Sequence, residues 1–242
     1  DFLYVADCKL CSKTSLEHIA KLGGRFITVL PRNRREDRWF RQFVQVNEPP
    51  WEEAVRRPNP RRRSGPEDVW KVVEAQLPSK EGYRIVWAWN SLMALEDDEG
   101  RQARIEKAWL GIERLETKLR GKRCRLRLRE KVEEAAAKIL KEARADRWVR
   151  VEITERKEPV YRQEKRGRPG AKTKYLRKER LRFSVAARVK DDVIKADART
   201  DGMFPLISNC RDLSLKQILE AYKFQPRLEK RYEQLKSVQD MA

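Results

Sequence analysis

Histidine, cysteine and long apolar runs are all scarce in this sequence of 242 residues. His18 is the only histidine, which excludes a metal site built on a histidine pair and argues against a Ser-His-Asp hydrolase. Four cysteines do not make a disulfide scaffold in a chain of this length, so we expect a reducing compartment. The longest apolar runs are about five residues, too short to span a bilayer, and no membrane partner is expected.

Positive charge is what the sequence has in excess: 57 Lys and Arg stand against 38 Asp and Glu. Residues 101–190 hold 31 of the basic and 13 of the acidic residues, and 161–190 alone hold 12 and 2. Such a field favours a polyanion, and nucleic acid is the usual one. The alternative is an anionic lipid surface, which we do not expect because no strongly amphipathic basic helix with a Trp/Leu face supports it. An ordinary solvated helix surface is the alternative to nucleic-acid binding. It explains residues 101–147, where positive and negative side chains are mixed, better than it explains the nearly uniform positive charge of 161–190.

Both ends of the chain have an α/β pattern. Residues 2–6 and 26–30 predict two buried strands of the parallel kind, with a helix near 16–22 capped by Ser12 or Thr14 and stopped by the glycine pair that follows. Near the other end, 203–208 predict a short strand and 213–236 a helix. A strand, a helix and a strand within thirty residues form an α/β unit.

The middle of the chain has a different character. All seven tryptophans lie within 39–148, which predicts an aromatic-rich core of its own, and residues 47–66 carry five prolines and predict a loop. Helical spacing over 99–146, interrupted near 121–129, predicts a helical hairpin. Further segments predict strands at 68–77 (or a helix there), 83–89, 148–153 and 181–189, and a basic loop at 161–180.

Four polar residues near the C-terminus are regularly spaced: Tyr222, Gln225, Glu229 and Lys236. On a helix, Glu229 and Lys236 share one face two turns apart, because seven residues return to within about 20° of the start. Leucine and tyrosine residues form an adjacent apolar stripe that would dock this helix. An ordinary surface helix carrying a Glu and a Lys is the alternative interpretation.

This spacing, Y-x2-Q-x3-E-x6-K, resembles the Y-x2-R-x3-E-x6-K signature of cut-and-paste insertion-sequence transposases of the DDE class. The opening FLYVADCKLCS resembles the strand that carries their second aspartate, and DGMFPLISN with LSLKQILEAYK resembles the sequence leading into their glutamate helix. The resemblance covers residues 1–31 and 198–242. It implies an α/β fold: a partial RNase H-like catalytic core, 1–37 and 198–242, interrupted by a large mixed α+β insertion domain, 38–197, that is basic and binds DNA.

In this family the carboxylates hold metal ions, which the resemblance carries over to Asp7 and Glu229 as catalytic residues and metal ligands. Two Mg²⁺ or Mn²⁺ ions would support phosphodiester hydrolysis and strand transfer at transposon ends, and hard cations of this kind prefer carboxylate oxygens. The family uses three carboxylates, and the first Asp belongs on an earlier strand. No strand precedes the one that leads to Asp7, so we expect a fragment that is inactive alone, its full-length parent being the enzyme.

The resemblance also implies DNA contacts. Tyr222 and Lys236 would hold phosphates at the transposon end, and Gln225 replaces the arginine of the pattern, keeping a donor but losing its charge. Phe204 matches the aromatic residue that stacks on a flipped base, a contact worth roughly 1–3 kcal/mol, while core packing is the alternative.

The segment KRGRPG resembles a minor-groove hook, in which Arg166 and Arg168 would enter an A·T-rich groove; a solvated loop or plain phosphate contacts are the alternatives. The expected partners are double-stranded DNA, as transposon ends and target, and a second copy in a homodimeric DNA complex. The expected location is the cytoplasm, at a bacterial nucleoid. A non-catalytic nucleic-acid-binding module or decayed transposase is the alternative function, and a protein-interaction role for the helices of 99–146 is a third.

Overall fold

A computed structural model describes residues 2–62, 64–121, 124–170 and 173–225. The fold is mixed α/β, as the sequence predicts. The strands are β1 (Leu3–Ala6), β2 (Arg25–Val29), β3 (Glu52–Arg57), β4 (Asp68–Glu74), β5 (Arg84–Asn90), β6 (Val149–Gln163), β7 (Tyr175–Val189) and β8 (Met203–Ser208). The helices are α1 (Lys13–Lys21), α2 (Arg35–Val46), α3 (Ser91–Arg120), α4 (Arg129–Ala143), α5 (Asp191–Ala198) and α6, residues 215–225.

The chain divides into two compact units. The first unit lies within Asp1–Asp98 and Ala196–Ala242, and the second within Glu99–Lys195. These bounds differ from the predicted insertion domain of 38–197, because residues 38–98 belong to the first unit together with both ends of the chain. The reason is long-range strand pairing, since β5 pairs along its length with β8.

A six-stranded mixed sheet organises the first unit, in the order β1-β2-β8-β5-β4-β3. Only β1 and β2 are parallel, and every other neighbouring pair is antiparallel. Apolar clusters cover both faces of the sheet. On one face the fully buried Trp87 stacks on Phe40 of α2, with ring centroids 4.3 Å apart.

The predicted strand–helix–strand at the start of the chain is confirmed. Ser12 caps α1 by accepting a hydrogen bond from the Ser15 amide at 3.1 Å, and the chain leaves the helix through Gly23 at a φ of 72°. β2 is buried as predicted. β1, at the border of the described sheet, is not buried on both faces: Leu3 is 36% exposed and Tyr4 51%.

The proline-rich segment 47–66 contains a strand, so the prediction of a continuous loop is wrong there. Its prolines flank β3 without interrupting it, and β3 is free to pair with β4 at the border of the sheet. The strands predicted at 68–77 and 83–89 correspond to β4 and β5.

In the second unit, the predicted helical hairpin is confirmed as α3 and α4, which pack closely where Gly111 meets Ile139. The predicted basic loop at 161–180 is wrong at both ends, since 161–163 belong to β6 and 175–180 to β7, whereas the described residues between them lie in no strand. β6 and β7 are fifteen residues each and pair along their whole length, from Val149 opposite Val189 to Gln163 opposite Tyr175. Val, Tyr and Leu among the charges supply the strand propensity that the charge density hides.

Candidate active site

The carboxyl ends of β1 and β2 meet at one end of the sheet, here called the Asp7 end. Asp7 follows β1 directly. β8 runs antiparallel to β2 and therefore begins at the same end, where Phe204 is its second residue. Two residues predicted from opposite ends of the sequence thus lie at one end of one sheet.

Asp7 is held by its backbone while its side chain stays accessible. The buried Thr28 hydroxyl donates to the Asp7 carbonyl oxygen at 2.5 Å, and the Lys9 amide donates to Oδ1 at 2.9 Å. Asp7 itself is exposed, and Oδ2 has no hydrogen-bond partner in the part of the chain that the structure describes. An exposed carboxylate fixed at a strand end is a suitable ligand for a hard divalent cation.

α6 brings the beginning of the C-terminal signature to the Asp7 end. The helix starts with a capping box, in which the Gln217 amide donates to the Ser214 hydroxyl at 3.2 Å and the Ser214 amide donates to the Gln217 side chain at 2.8 Å. Ile218 and Leu219 are fully buried against the sheet. The helix runs back along the sheet, so that Tyr222 reaches the start of β8.

Phe204 and Tyr222, two of the predicted DNA contacts, lie against each other. Their ring centroids are 5.7 Å apart, and Phe204 also meets Trp70 edge-on at 6.2 Å. The Nζ atom of Lys223 lies 3.8 Å from the Trp70 ring centroid, a cation–π contact. Phe204 is half-buried in the apolar cluster of this sheet face, as its alternative interpretation expects. Its stacking on a base stays a prediction.

The other signature residues are located in part. Gln225 is the last described residue of α6. Glu229 and Lys236 lie outside the described residues. Arg166 and Arg168 lie in the second unit, in the turn that joins β6 to β7, and both are exposed.

A buried carboxylate that the sequence analysis did not single out also lies at the Asp7 end. Asp68, the first residue of β4, accepts hydrogen bonds from Asn90 at 2.5 Å and from Arg57 at 2.7 Å. Burial raises the pKa of Asp68, but these hydrogen bonds outweigh burial and lower it overall. With both partners satisfied, Asp68 serves to tie β3, β4 and β5 together, and the sequence offers no signal for this long-range pairing.

A shallow pocket of about 380 Å³ adjoins Tyr222. It is lined by Val55, Arg57, Glu220, Lys223 and Phe224. Its charges are mixed, because Glu220 is acidic and Arg57 is already bonded to Asp68. The only feature of the sequence that points to this pocket is the place of Lys223 next to Tyr222 of the signature.

Within the described ranges, no group of three His, Cys, Asp or Glu side chains is arranged to hold a metal ion. No described helix is long and apolar enough to cross a membrane. No family model, curated protein or solved structure matches the chain. What the chain does is therefore inferred from its own motifs and geometry.

Proposed function

We propose that this chain is part of a DDE transposase, an enzyme that cleaves and joins DNA strands at transposon ends with the help of divalent metal ions. The convergence at the Asp7 end carries the proposal. Asp7 follows β1 there, and Tyr222 of the signature contacts Phe204 at the start of β8. If the signature occurred by chance on an unrelated surface helix, there would be no reason for Tyr222 to lie at the Asp7 end of the sheet.

The partial RNase H-like core belongs to the same proposal. β1 has an unpaired outer edge among the described residues, and Phe2, Leu3 and Tyr4 beside it are exposed. Exposed apolar strand edges are normally covered. A further strand pairing here in parallel would end beside Asp7, which is where the first aspartate of the family is needed.

Asp7 and Glu229 would hold Mg²⁺ or Mn²⁺, two ions in all. Bound there, the ions would activate water or a 3′-hydroxyl and stabilise the leaving oxygen of a phosphodiester. Asp7 suits this role because its carboxylate is exposed and its backbone is fixed by Thr28. The third carboxylate would come from the strand proposed to pair with β1.

The remaining residues would bind DNA. Tyr222 and Lys236 would contact phosphates at the transposon end, and Gln225 would donate a hydrogen bond without adding charge. Phe204 would stack on a flipped base. Arg166 and Arg168 would contact a DNA groove from the second unit. The active complex would be a homodimer on DNA, located at a bacterial nucleoid in the cytoplasm.

The test is transposon-end cleavage by the full-length protein that contains this chain. Glu229→Ala should abolish divalent-ion-dependent cleavage while leaving DNA binding intact. Glu48→Ala, which removes an exposed glutamate between α2 and β3, is the matched control and should cleave normally. Cleavage by the Glu229 variant at the wild-type rate would end the proposal.

The alternative function is a non-catalytic DNA-binding module or a decayed transposase. The basic second unit favours this alternative, because its positive charge can bind DNA without any metal-binding carboxylate. The same assay separates the two functions. Salt-dependent DNA binding by the wild-type protein with no metal-dependent cleavage would support the alternative.

A further inference from the structure

The β6–β7 hairpin has a packed base and a free outer half. At the base, Phe183, Val185 and Ala187 are buried in the apolar core of the second unit. Residues 156–182, here called the arm, are exposed at nearly every described position. Fifteen paired residues extend about 50 Å at roughly 3.4 Å per residue, so the outer half alone is some 25 Å long.

The arm is strongly basic on one face. Its sequence holds twelve Lys and Arg and three Glu. Side chains of directly paired residues share a face, and the pairing sets Arg156 opposite Arg182 and Val160 opposite Lys178. Within the paired part of the arm, this face therefore carries five cations and one carboxylate: Arg156, Arg162, Lys178, Arg180, Arg182 and Glu158.

Of the five cations of this face, Arg182 is anchored, Arg180 is partly buried, and three are exposed and unpaired. Arg182 donates to the carbonyl oxygens of Leu119 at 3.3 Å and Gly121 at 3.1 Å, and so fixes the inner end of the arm to the C-terminus of α3. Arg156, Arg162 and Lys178 form no ion pair and no side-chain hydrogen bond among the described residues. They are exposed and available to a ligand.

A two-stranded ribbon with like charges on one face is unfavourable by itself. Such a ribbon is at best marginally stable in water, and like charges directly opposite each other destabilise it further. A polyanion along the basic face removes the repulsion and releases counterions. The arrangement therefore indicates an extended anionic partner, and a single bound anion would satisfy only part of it.

We propose that the arm lies in the major groove of duplex DNA, with its basic face contacting the phosphates that border the groove. The major groove, about 12 Å wide, admits a two-stranded ribbon, whereas the minor groove, about 6 Å wide, does not. The major groove of duplex RNA is too deep and narrow to be entered in this way. The inference rests on the proposed function only in taking DNA as the polyanion.

Two variants with the same loss of charge test the arm. The arm variant replaces three exposed cations of the basic face that have no partner among the described residues: Arg156→Gln, Arg162→Gln and Lys178→Gln. The control replaces three exposed cations on α3 and α4: Arg114→Gln, Lys118→Gln and Lys131→Gln. Fluorescence anisotropy measures binding of the full chain to a 30-base-pair duplex over a range of salt concentrations. Circular dichroism should show that both variants keep the wild-type fold.

The arm variant should bind at least tenfold more weakly at about 0.1 M salt. The slope of log affinity against log salt should fall by about 2.7, since each lost phosphate contact removes about 0.9. The control should keep the wild-type slope. An unchanged slope in the arm variant, or an equal fall in both variants, would overturn the assignment to the arm while leaving DNA binding in place. Absence of salt-dependent binding by the wild type would overturn the proposed function itself.

Groove assignment needs a second measurement. Methylation at guanine N7, which faces the major groove, should interfere with binding by the wild type. Methylation at adenine N3, in the minor groove, should have little effect. Interference at N3 alone, or duplex RNA of matched sequence binding as tightly as DNA, would contradict a ribbon in the major groove.

Discussion

Arg34 holds two carboxylates at the start of α2, and replacing it should destabilise the first unit. Its guanidinium bonds to Glu36 at 2.9 Å and to Glu81, in the turn between β4 and β5, at 2.7 Å. The side chains of these three residues are 21%, 19% and 6% exposed. Arg34→Met would leave two largely buried carboxylates side by side without a cation. The expected loss is about 3 kcal/mol of unfolding free energy, the low end for a broken buried ion pair.

Arg56 is the matched control, because it also bonds to two carboxylates. It reaches Glu53 and Glu67, each at 2.6 Å, but the three side chains are 51%, 43% and 57% exposed. Exposed ion pairs contribute about 0–1 kcal/mol. Arg56→Met should therefore cost much less than Arg34→Met, although it also separates a cation from two carboxylates.

The cost of losing Arg34 should also depend on pH. Burial raises the pKa of Glu36, but hydrogen bonds from Arg34 and the Lys80 amide outweigh it and lower the pKa from 4.5 to about 2. Arg34 likewise lowers the pKa of Glu81. A carboxyl group with a lowered pKa contributes stability that is present above pH 4.5 and is lost as the pH falls toward 2. The difference between wild type and Arg34→Met should therefore be largest near pH 7 and shrink below pH 4.5.

Urea denaturation followed by circular dichroism at pH 7 and pH 4 measures both effects. Two observations would refute the reasoning. One is an Arg34→Met variant no less stable than Arg56→Met at pH 7. The other is a loss of stability at pH 4 as large as the loss at pH 7.

Three further substitutions test local packing and positioning. In urea denaturation, Gly111→Ala should lower the free energy of unfolding by about 1–3 kcal/mol, because the new Cβ would collide with Ile139. Gly100→Ala lies on the same helix with open space around it and should raise the free energy of unfolding by about 0.5–1 kcal/mol. The reverse order would contradict the packing of α3 on α4. Ser214→Ala should cost about 1 kcal/mol by removing the cap of α6, and no measurable cost would contradict the capping box. Thr28→Val should lower divalent-ion-dependent cleavage more than its effect on stability explains, since it frees the Asp7 backbone; unaltered cleavage would contradict that role.

Local signals predicted much of the fold. Ser12 caps α1 as its position before a helical run predicts, and the apolar runs of β2, β5 and β8 are strands. Two strand-forming segments were not predicted, one because of its flanking prolines and the other because of its charge. Prolines on both sides hid β3, and the arm looked like a loop because lysine and arginine outnumber its strand-forming residues. The division into units depends on β5 pairing with β8, which are more than a hundred residues apart, and local patterns carry no such information.

The candidate site was predictable to a similar degree. The resemblance singled out Asp7, Phe204 and Tyr222, and the sheet brings Asp7 and Phe204 to one end because the direction of each strand follows from the topology. The contacts of Trp70 with Phe204 and Lys223 had no sequence signal, because β4 reaches them only through its neighbours in the sheet.

The central claim is that Asp7 and Glu229 share divalent ions, and iron-directed cleavage of the polypeptide tests it most directly. Fe²⁺ that replaces Mg²⁺ generates hydroxyl radicals in the presence of ascorbate and peroxide, and these cut the backbone beside the ligands. The account predicts cuts near residue 7 and near residue 229, both suppressed by excess Mg²⁺ and both lost in Asp7→Asn. Cuts near only one of the two carboxylates, or cuts near residue 229 that persist in Asp7→Asn, would contradict a shared site.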